Sequence, residues 1–333
     1  MGATTRGAFA VLVLAMVVAA LFLTWYTPPY AQAVERATTS KRVTLGRTPT
    51  PAVTVTVTAT PRPRGPLIAH VRQRGLFGGT YTIKGLDLDG TAARLTYLNY
   101  GYANIHPEEL TCLNGVTMPP GADPADPRQG DGAGDAWADY QRAFSAAESV
   151  DGVADLADAP LAGNFNQLRK LKAKYPGLKV LISIGGWTYS KYFSDVARTE
   201  AGRERFVKSC VDMYLRGDLP LFGTRGGIGV GGGVFDGIDV DWEWPGGPGH
   251  AGNHVSKDDP KNLTALLAEF RAQLDALGEA AGRRFLLTAF VPADRELLRV
   301  GWESAALRYL DFANVQEQPR SVAHVASEAG SPV

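Results

Sequence analysis

Cysteine is scarce in this chain: two residues among 333 exclude a disulfide-built scaffold and a four-thiolate zinc site. Net charge is absent as well. The 34 basic and 34 acidic residues cancel, which argues against a nucleic-acid partner, since such a binder would carry a basic excess on its folded part. The histidines are few, and His70, His106, His250, His254 and His324 lack the spacing of metal ligands, so surface positions are expected. No repeat of fixed period occurs. The 38 glycines and 21 prolines concentrate in particular stretches, which excludes a fibrous or wholly disordered chain. What remains, at 45% hydrophobic residues, is one sizeable globular domain with appendages.

The longest uncharged apolar run, Ala8 to Leu23, follows Arg6 and precedes the small-residue site Ala31-Gln32-Ala33. That order reads residues 1–33 as an export signal peptide. With Thr24-Trp25-Tyr26 the run also approaches the length of a short membrane anchor. Either way the rest of the chain is expected outside the cytoplasm, secreted or membrane-anchored. Residues 34–66 are rich in Thr, Pro and Arg, and their prolines favour an extended linker over a strand. Six basic residues there (Arg36, Lys41, Arg42, Arg47, Arg62 and Arg64) outweigh Glu35, so the linker is a positive tether that could lie on an acidic cell wall.

From Leu67 onward strand patterns alternate with helical ones. Apolar, β-branched runs span Leu95 to Tyr100, Val180 to Ile184, Val234 to Trp242, Phe285 to Val291 and Phe312 to Val315. Between them, Phe165, Leu168 and Leu171, then Phe206, Cys210 and Met213, then Leu263, Leu266, Leu267, Phe270 and Leu274 recur at helical spacing. The alternation predicts an α/β fold with a covered parallel sheet, either a barrel or an open doubly wound sheet. Gly227 to Gly232 formally matches G-x-G-x-x-G but precedes a strand instead of opening a helix, which rejects a dinucleotide site.

The chemistry concentrates in Phe235 to Pro245. In an extended strand Asp239, Asp241 and Glu243 share one face, while Ile238, Val240 and Trp242 take the other. Three aligned carboxylates on a buried face cannot all ionise, so one proton is retained, and a carboxylic acid protonated near neutrality is a general acid. Pro245 ends ladder pairing and places Glu243 at the carboxyl end of the strand, where α/β sheets bind ligands. Two other readings are a divalent-metal cluster, against which the calcium-loop glycine pattern is missing, and a solvated acidic face, which the flanking aromatics oppose.

Asp236, Asp239, Asp241 and Glu243 fit D-x-x-D-x-D-x-E, and Ser183-Ile184-Gly185-Gly186 fits S-x-G-G. Both resemble the signatures of glycoside hydrolase family 18, the chitinases, and the stretches Tyr97 to Asn104 and Asn164 to Lys172 resemble those of actinobacterial members. The resemblance covers about Leu67 to Val315. It implies a (β/α)8 TIM barrel that hydrolyses β-1,4 bonds between N-acetylglucosamine units of chitin or chito-oligosaccharides with retention. The substrate's own acetamido oxygen is the nucleophile, an exception to the two-carboxylate scheme. It further implies Glu243 as acid/base, Asp241 as the group orienting the acetamido, and Asp239 sharing its proton. Asp236, on the opposite parity, would be a strand-start support. Ser183, Gly185 and Gly186 support the site, and no metal or organic cofactor is required.

Trp187, Trp244, Tyr100 and Tyr102 are candidate sugar platforms, because pyranose C–H faces stack on rings; the parity of Trp242 points it away. Cys112 and Cys210 are candidates for a disulfide in an exported protein, with their pairing left open. Arg74 falls near a position often held by Trp in the family. After Val315 the expected Met/Gln-x-Tyr-Asp stretch is replaced by Gln316-Glu317-Gln318-Pro319-Arg320. The barrel is therefore expected to be incomplete after the sixth strand, with residues 316–333 an aberrant polar tail of a truncated or frameshifted domain, monomeric if folded. The alternatives are an endo-N-acetylglucosaminidase acting on N-glycans, a chitin-binding lectin, and a chitin-binding fragment of weak activity.

Overall fold

The structure, a computed structural model, describes residues 65–73, 82–114 and 136–316. The expected signal or anchor (1–33), nearly all of the linker, Arg74 and the tail beyond residue 316 lie outside the described residues. Among the described residues no helix is long and apolar enough to cross a membrane.

Six parallel strands form the main sheet in chain order: β1 (Ile68–Arg72), β2 (Tyr97–Ile105), β4 (Lys179–Gly185), β7 (Gly237–Asp241), β8 (Leu286–Pro292) and β9 (Phe312–Gln316). The two-residue β3 (Cys112–Leu113) adds an antiparallel pair to β2, and β5 (Leu219–Phe222) pairs with β6 (Arg225–Gly227) in a separate hairpin. The helices are α1 (Ile83–Leu88), α2 (Gly163–Lys174), α3 (Phe193–Ala197), α4 (Glu200–Cys210), α5 (Asp259–Ala281) and α6 (Arg295–Gly301). This is a parallel part-barrel of the (β/α)8 kind. β9 runs one residue past the boundary expected from sequence. Gln316 pairs with Pro292 and its carbonyl accepts from the Ala293 N–H, a backbone interaction that needs no apolar side chain.

Strand alternation sorts the residues into two layers. Leu98 and Tyr100, Val180, Ile182 and Ile184, Ile238, Val240 and Trp242, and Leu287 and Ala289 point outward to the helices and are buried. The helices meet them with the expected stripes: Phe165, Leu168 and Leu171 of α2, and Leu263, Leu266, Leu267, Phe270 and Leu274 of α5. Proline in its first turn starts α5, and Gly282 in the left-handed region (φ 63°) stops it.

The sheet is strongly curled. Tyr97 of β2 and Phe312 of β9 bring their rings to 4.7 Å, as do His70 of β1 and Phe290 of β8, although each pair is separated by three or more strands in the sheet order. On the outside, a disulfide joins Cys112 to Cys210 with the Cα atoms 5.1 Å apart, tying β3 to the end of α4. Beside it, Asn114 Nδ2 donates to Asp139 Oδ2 at 2.8 Å.

Candidate active site

β7 delivers the acids because its neighbours pair with it on both sides: Ser183 of β4 stands beside Asp239, and Thr288 of β8 stands on the other flank. Asp239 is fully buried and accepts three hydrogen bonds, from Ser183 Oγ (2.7 Å), Thr288 Oγ1 (2.5 Å) and Asn314 Nδ2 (3.0 Å). Four strands thus converge on one carboxyl. Burial raises its pKa above the ordinary aspartate value, while the charge of His70 and the three donors pull it back down.

Asp241, two residues on, is equally buried, and the side-chain partner of its carboxyl is the carboxyl of Glu243. Burial first, then the charges of Glu243 and Asp239, hold its pKa well above the ordinary value. Two apposed buried carboxyls cannot both ionise freely, so they share a proton. Glu243 lies just past the strand end, and its backbone is clamped: its N–H donates to Ser190 Oγ (2.8 Å), and its carbonyl accepts from Asn253 Nδ2 (2.8 Å). Ser190 Oγ in turn donates to the carbonyls of Gly186 (2.9 Å) and Asp241 (3.0 Å). The peptide bonds Gly101–Tyr102 and Glu243–Trp244 are cis.

Both glycines after β4 are required by contact. A Cβ on Gly185 (φ 107°) would lie 2.3 Å from the Asp241 carbonyl oxygen, and one on Gly186 (φ 80°) 2.8 Å from the Tyr102 ring. Asp236 stands at the opposite end of β7 from Glu243. It accepts from the Val180 N–H at 2.9 Å and pairs with Lys172 Nζ at 2.8 Å, which staples the strand register and keeps it away from the chemistry.

Two of the expected sugar platforms are corrected. Tyr100 is 0% exposed; it points to the helices, with Phe165 edge-on at 5.8 Å and its hydroxyl donating to Asp139. Trp244 is 2% exposed and offers no open ring face. Trp187 does project, at 43% exposure, with His250 edge-on at 5.9 Å. Tyr102 is half-buried beside the acids, and burial, then the Asp241 charge, push its phenol pKa up. Thr288, Asn314, Ser190, Asn253 and the inward-facing His70 went unrecognised in the sequence. Thr288 and Asn314 each interrupt an apolar run with a polar residue, a signal of inward function.

The Glycosyl hydrolases family 18 model matches residues 71–317. Chitinase C of Streptomyces lividans is 36% identical over 244 residues, covering 72% of this chain and 32% of that protein. Chitinase A1 of Niallia circulans is 36% identical over 230 residues, covering 64% of this chain and 28% of that protein. The chain spans about a third of the length of these relatives. Among solved structures, the catalytic domain of psychrophilic chitinase B from Arthrobacter TAD20 is 48% identical with a TM-score of 0.69, covering 75% of this chain and 57% of that one. Chitinase ChiA74 from Bacillus thuringiensis is 29% identical with a TM-score of 0.58, covering 75% of this chain and 38% of that one. With its four-acid strand, its curled parallel sheet and a family match over most of its length, the chain belongs to glycosyl hydrolase family 18.

Proposed function

We propose that this chain hydrolyses β-1,4 bonds between N-acetylglucosamine units of chitin or chito-oligosaccharides, with retention and with the substrate's acetamido group as nucleophile. The observation that carries this reading is the fully buried Asp241 paired with the Glu243 carboxyl. A carboxyl paired with a second carboxyl keeps acceptor capacity for a substrate N–H. Glu243 gives its proton to the glycosidic oxygen as the C1–O bond breaks, while the acetamido carbonyl oxygen attacks C1 from the opposite side. Asp241, accepting from the acetamido N–H, orients that oxygen and balances the positive oxazolinium ion. Water then opens the ring at C1 and returns its proton to Glu243. Asp239, held by three donors, sets the charge beneath Asp241. Trp187 supplies an open aromatic face for the sugar chain, and Tyr102 lines the site beside the acids.

The reading is tested by incubating the chain with chitotetraose or chitohexaose and following the product anomer by proton NMR. Release of β-anomer that mutarotates later supports it; α-anomer, or no cleavage, opposes it. Placement outside the cytoplasm, by a cleaved signal or an uncleaved anchor, is part of the same proposal. It is supported by the charged flank, apolar run and Ala-x-Ala order of residues 1–33 and by the Cys112–Cys210 disulfide, a bond that persists in oxidising compartments. N-terminal sequencing of exported protein separates cleavage at Ala33 from retention of the anchor.

A further inference from the structure

Strand pairing holds Asp239 and Asp241 but stops short of Glu243. The ladder of β7 with β4 ends at Gly185 and Asp241, and that with β8 ends at Val240 and Ala289. A proton donor nevertheless has to meet the glycosidic oxygen within hydrogen-bond reach. Glu243 is buried, and its own peptide groups are the handle. Its N–H donates to Ser190 Oγ and its carbonyl accepts from Asn253 Nδ2, both at 2.8 Å.

The two grips come from separate loops that are stitched together. Ser190 lies in residues 186–192, between β4 and α3, and Asn253 in residues 246–258, between β7 and α5. The next residue along from each joins the loops: the His254 N–H donates to the Lys191 carbonyl at 2.9 Å. Farther out, His254 Nδ1 lies 2.6 Å from Asp195 Oδ2 of α3. The fully buried Asp259 ties the base. It accepts from the N–H groups of Gly246 (3.1 Å) and Ser256 (2.8 Å), near the two ends of the second loop, and from Ser194 Oγ of α3 (2.7 Å). Gly249 shows how closely that loop covers the handle. A Cβ there would lie 2.4 Å from the Glu243 carbonyl oxygen and 2.5 Å from Asn253 Nδ2.

We propose that these two loops form a bracket that stands in for strand pairing around Glu243, with Asn253 and Ser190 as positioning residues that aim its carboxyl at the leaving oxygen. Both act through the main chain of Glu243. A buried carbonyl that loses its donor is left unsatisfied and turns toward another partner, and the side chain on the same residue moves with it. A misplacement of about 1 Å at the reacting atoms can lower a rate on the order of 10²-fold. The loss falls on proton transfer, so a leaving group that departs without a proton is spared. For catalysis the inference rests on the proposed hydrolysis. For the bracket itself it does not.

The test compares kcat/KM for two substrates, a constant referred to free enzyme and free substrate and blind to the later attack by water. Chitotetraose has a leaving sugar that needs the proton; the dinitrophenyl glycoside of diacetylchitobiose has a phenolate that does not. Asn253→Ala should lower kcat/KM for chitotetraose by about 10- to 100-fold and that for the dinitrophenyl glycoside far less. Gly249→Ala, which pushes the loop off the carbonyl while Asn253 remains, should give the same split. A merely structural role would lower both substrates alike. Equal losses on the two substrates, or no loss, in both variants overturn the proposal. Hydrogen exchange at the Glu243 amide, followed by NMR in the full chain, reads the bracket without catalysis and should quicken in both variants. A parent chain that cleaves neither substrate refutes the hydrolytic reading; quickened exchange in the variants would then still support the bracket, and unchanged exchange would overturn it.

Discussion

Trp242 lies flat on Phe193, with ring centroids 5.2 Å apart and planes 14° from parallel. Phe193 is itself edge-on to Phe206 of α4 at 6.2 Å, so the indole is anchored to the helical layer through two rings. A stacked pair contributes about 0.5–1.5 kcal/mol beyond its buried area. The greater effect is directional. With Trp242 committed outward, Asp241 before it and Glu243 after it are left facing inward.

Glu243→Gln keeps the shape of the side chain and removes the proton. Turnover of chito-oligosaccharides should fall by about 10²–10⁴-fold, the usual worth of general acid catalysis, with an unchanged circular-dichroism spectrum. Activity within a factor of two of the parent would remove Glu243 from the mechanism.

Asp241→Asn should stabilise the fold while abolishing most activity. The folded-state pKa of Asp241 is raised above its unfolded value, so its contribution to stability is fully present below the unfolded pKa and is lost as pH rises through the folded one. The variant should therefore melt above the parent at neutral pH, with the gap closing toward pH 4. Since roughly 1 kcal/mol moves the midpoint of a domain of this size by about 2–4 °C, the difference is measurable by calorimetry. A gap that widens in acid would contradict the shared proton.

Thr288→Val removes one of the three donors to Asp239 at nearly constant volume. Leaving a buried carboxyl short of a partner costs about 1–3 kcal/mol. Denaturant unfolding should register that loss, and kcat should drop with it, because the negative charge beneath Asp241 is less well fixed. Stability equal to the parent would mean that Ser183 and Asn314 satisfy Asp239 unaided.

The acid column was legible because its information is local. Alternation along Gly237 to Glu243 places three carboxyls on one face whatever the rest of the chain does, and the apolar runs of β4, β7 and β8 announce a sheet covered on its outer side. The support of Asp239 was not legible in the same way. Thr288 and Asn314 lie 49 and 75 residues away in sequence, and only the curl of the sheet brings them together. Tyr100 and Trp244 misled for a related reason: an aromatic near a strand end reads alike on either face. Shared parity with the buried Leu98 assigns Tyr100 to the helical side. The contact of His70 with Phe290 depends on β1 meeting β8 across the interior, which no spacing encodes.

The disulfide offers a separate handle. Cys112 and Cys210 are 98 residues apart in sequence, and both are buried. Replacing both by serine should cost about 2–4 kcal/mol, measured as a fall in the thermal midpoint of the oxidised chain. Reductant should lower the parent's midpoint toward that of the double variant and leave the variant unmoved. An unchanged midpoint in the variant would show that the linkage constrains the unfolded chain very little.

The 2.8 Å hydrogen bond between Asn114 and Asp139 has an engineering consequence. Asn114 and Asp139, 25 residues apart in sequence, are thereby held side by side, one rooted through β3 to the disulfide and the other in the buried layer. A closed root of this kind decouples length from fold. Doubling a loop hung from fixed ends costs only about 0.6 kcal/mol of closure entropy. Residues inserted between these two fixed positions are therefore expected to leave the register of β2 unchanged.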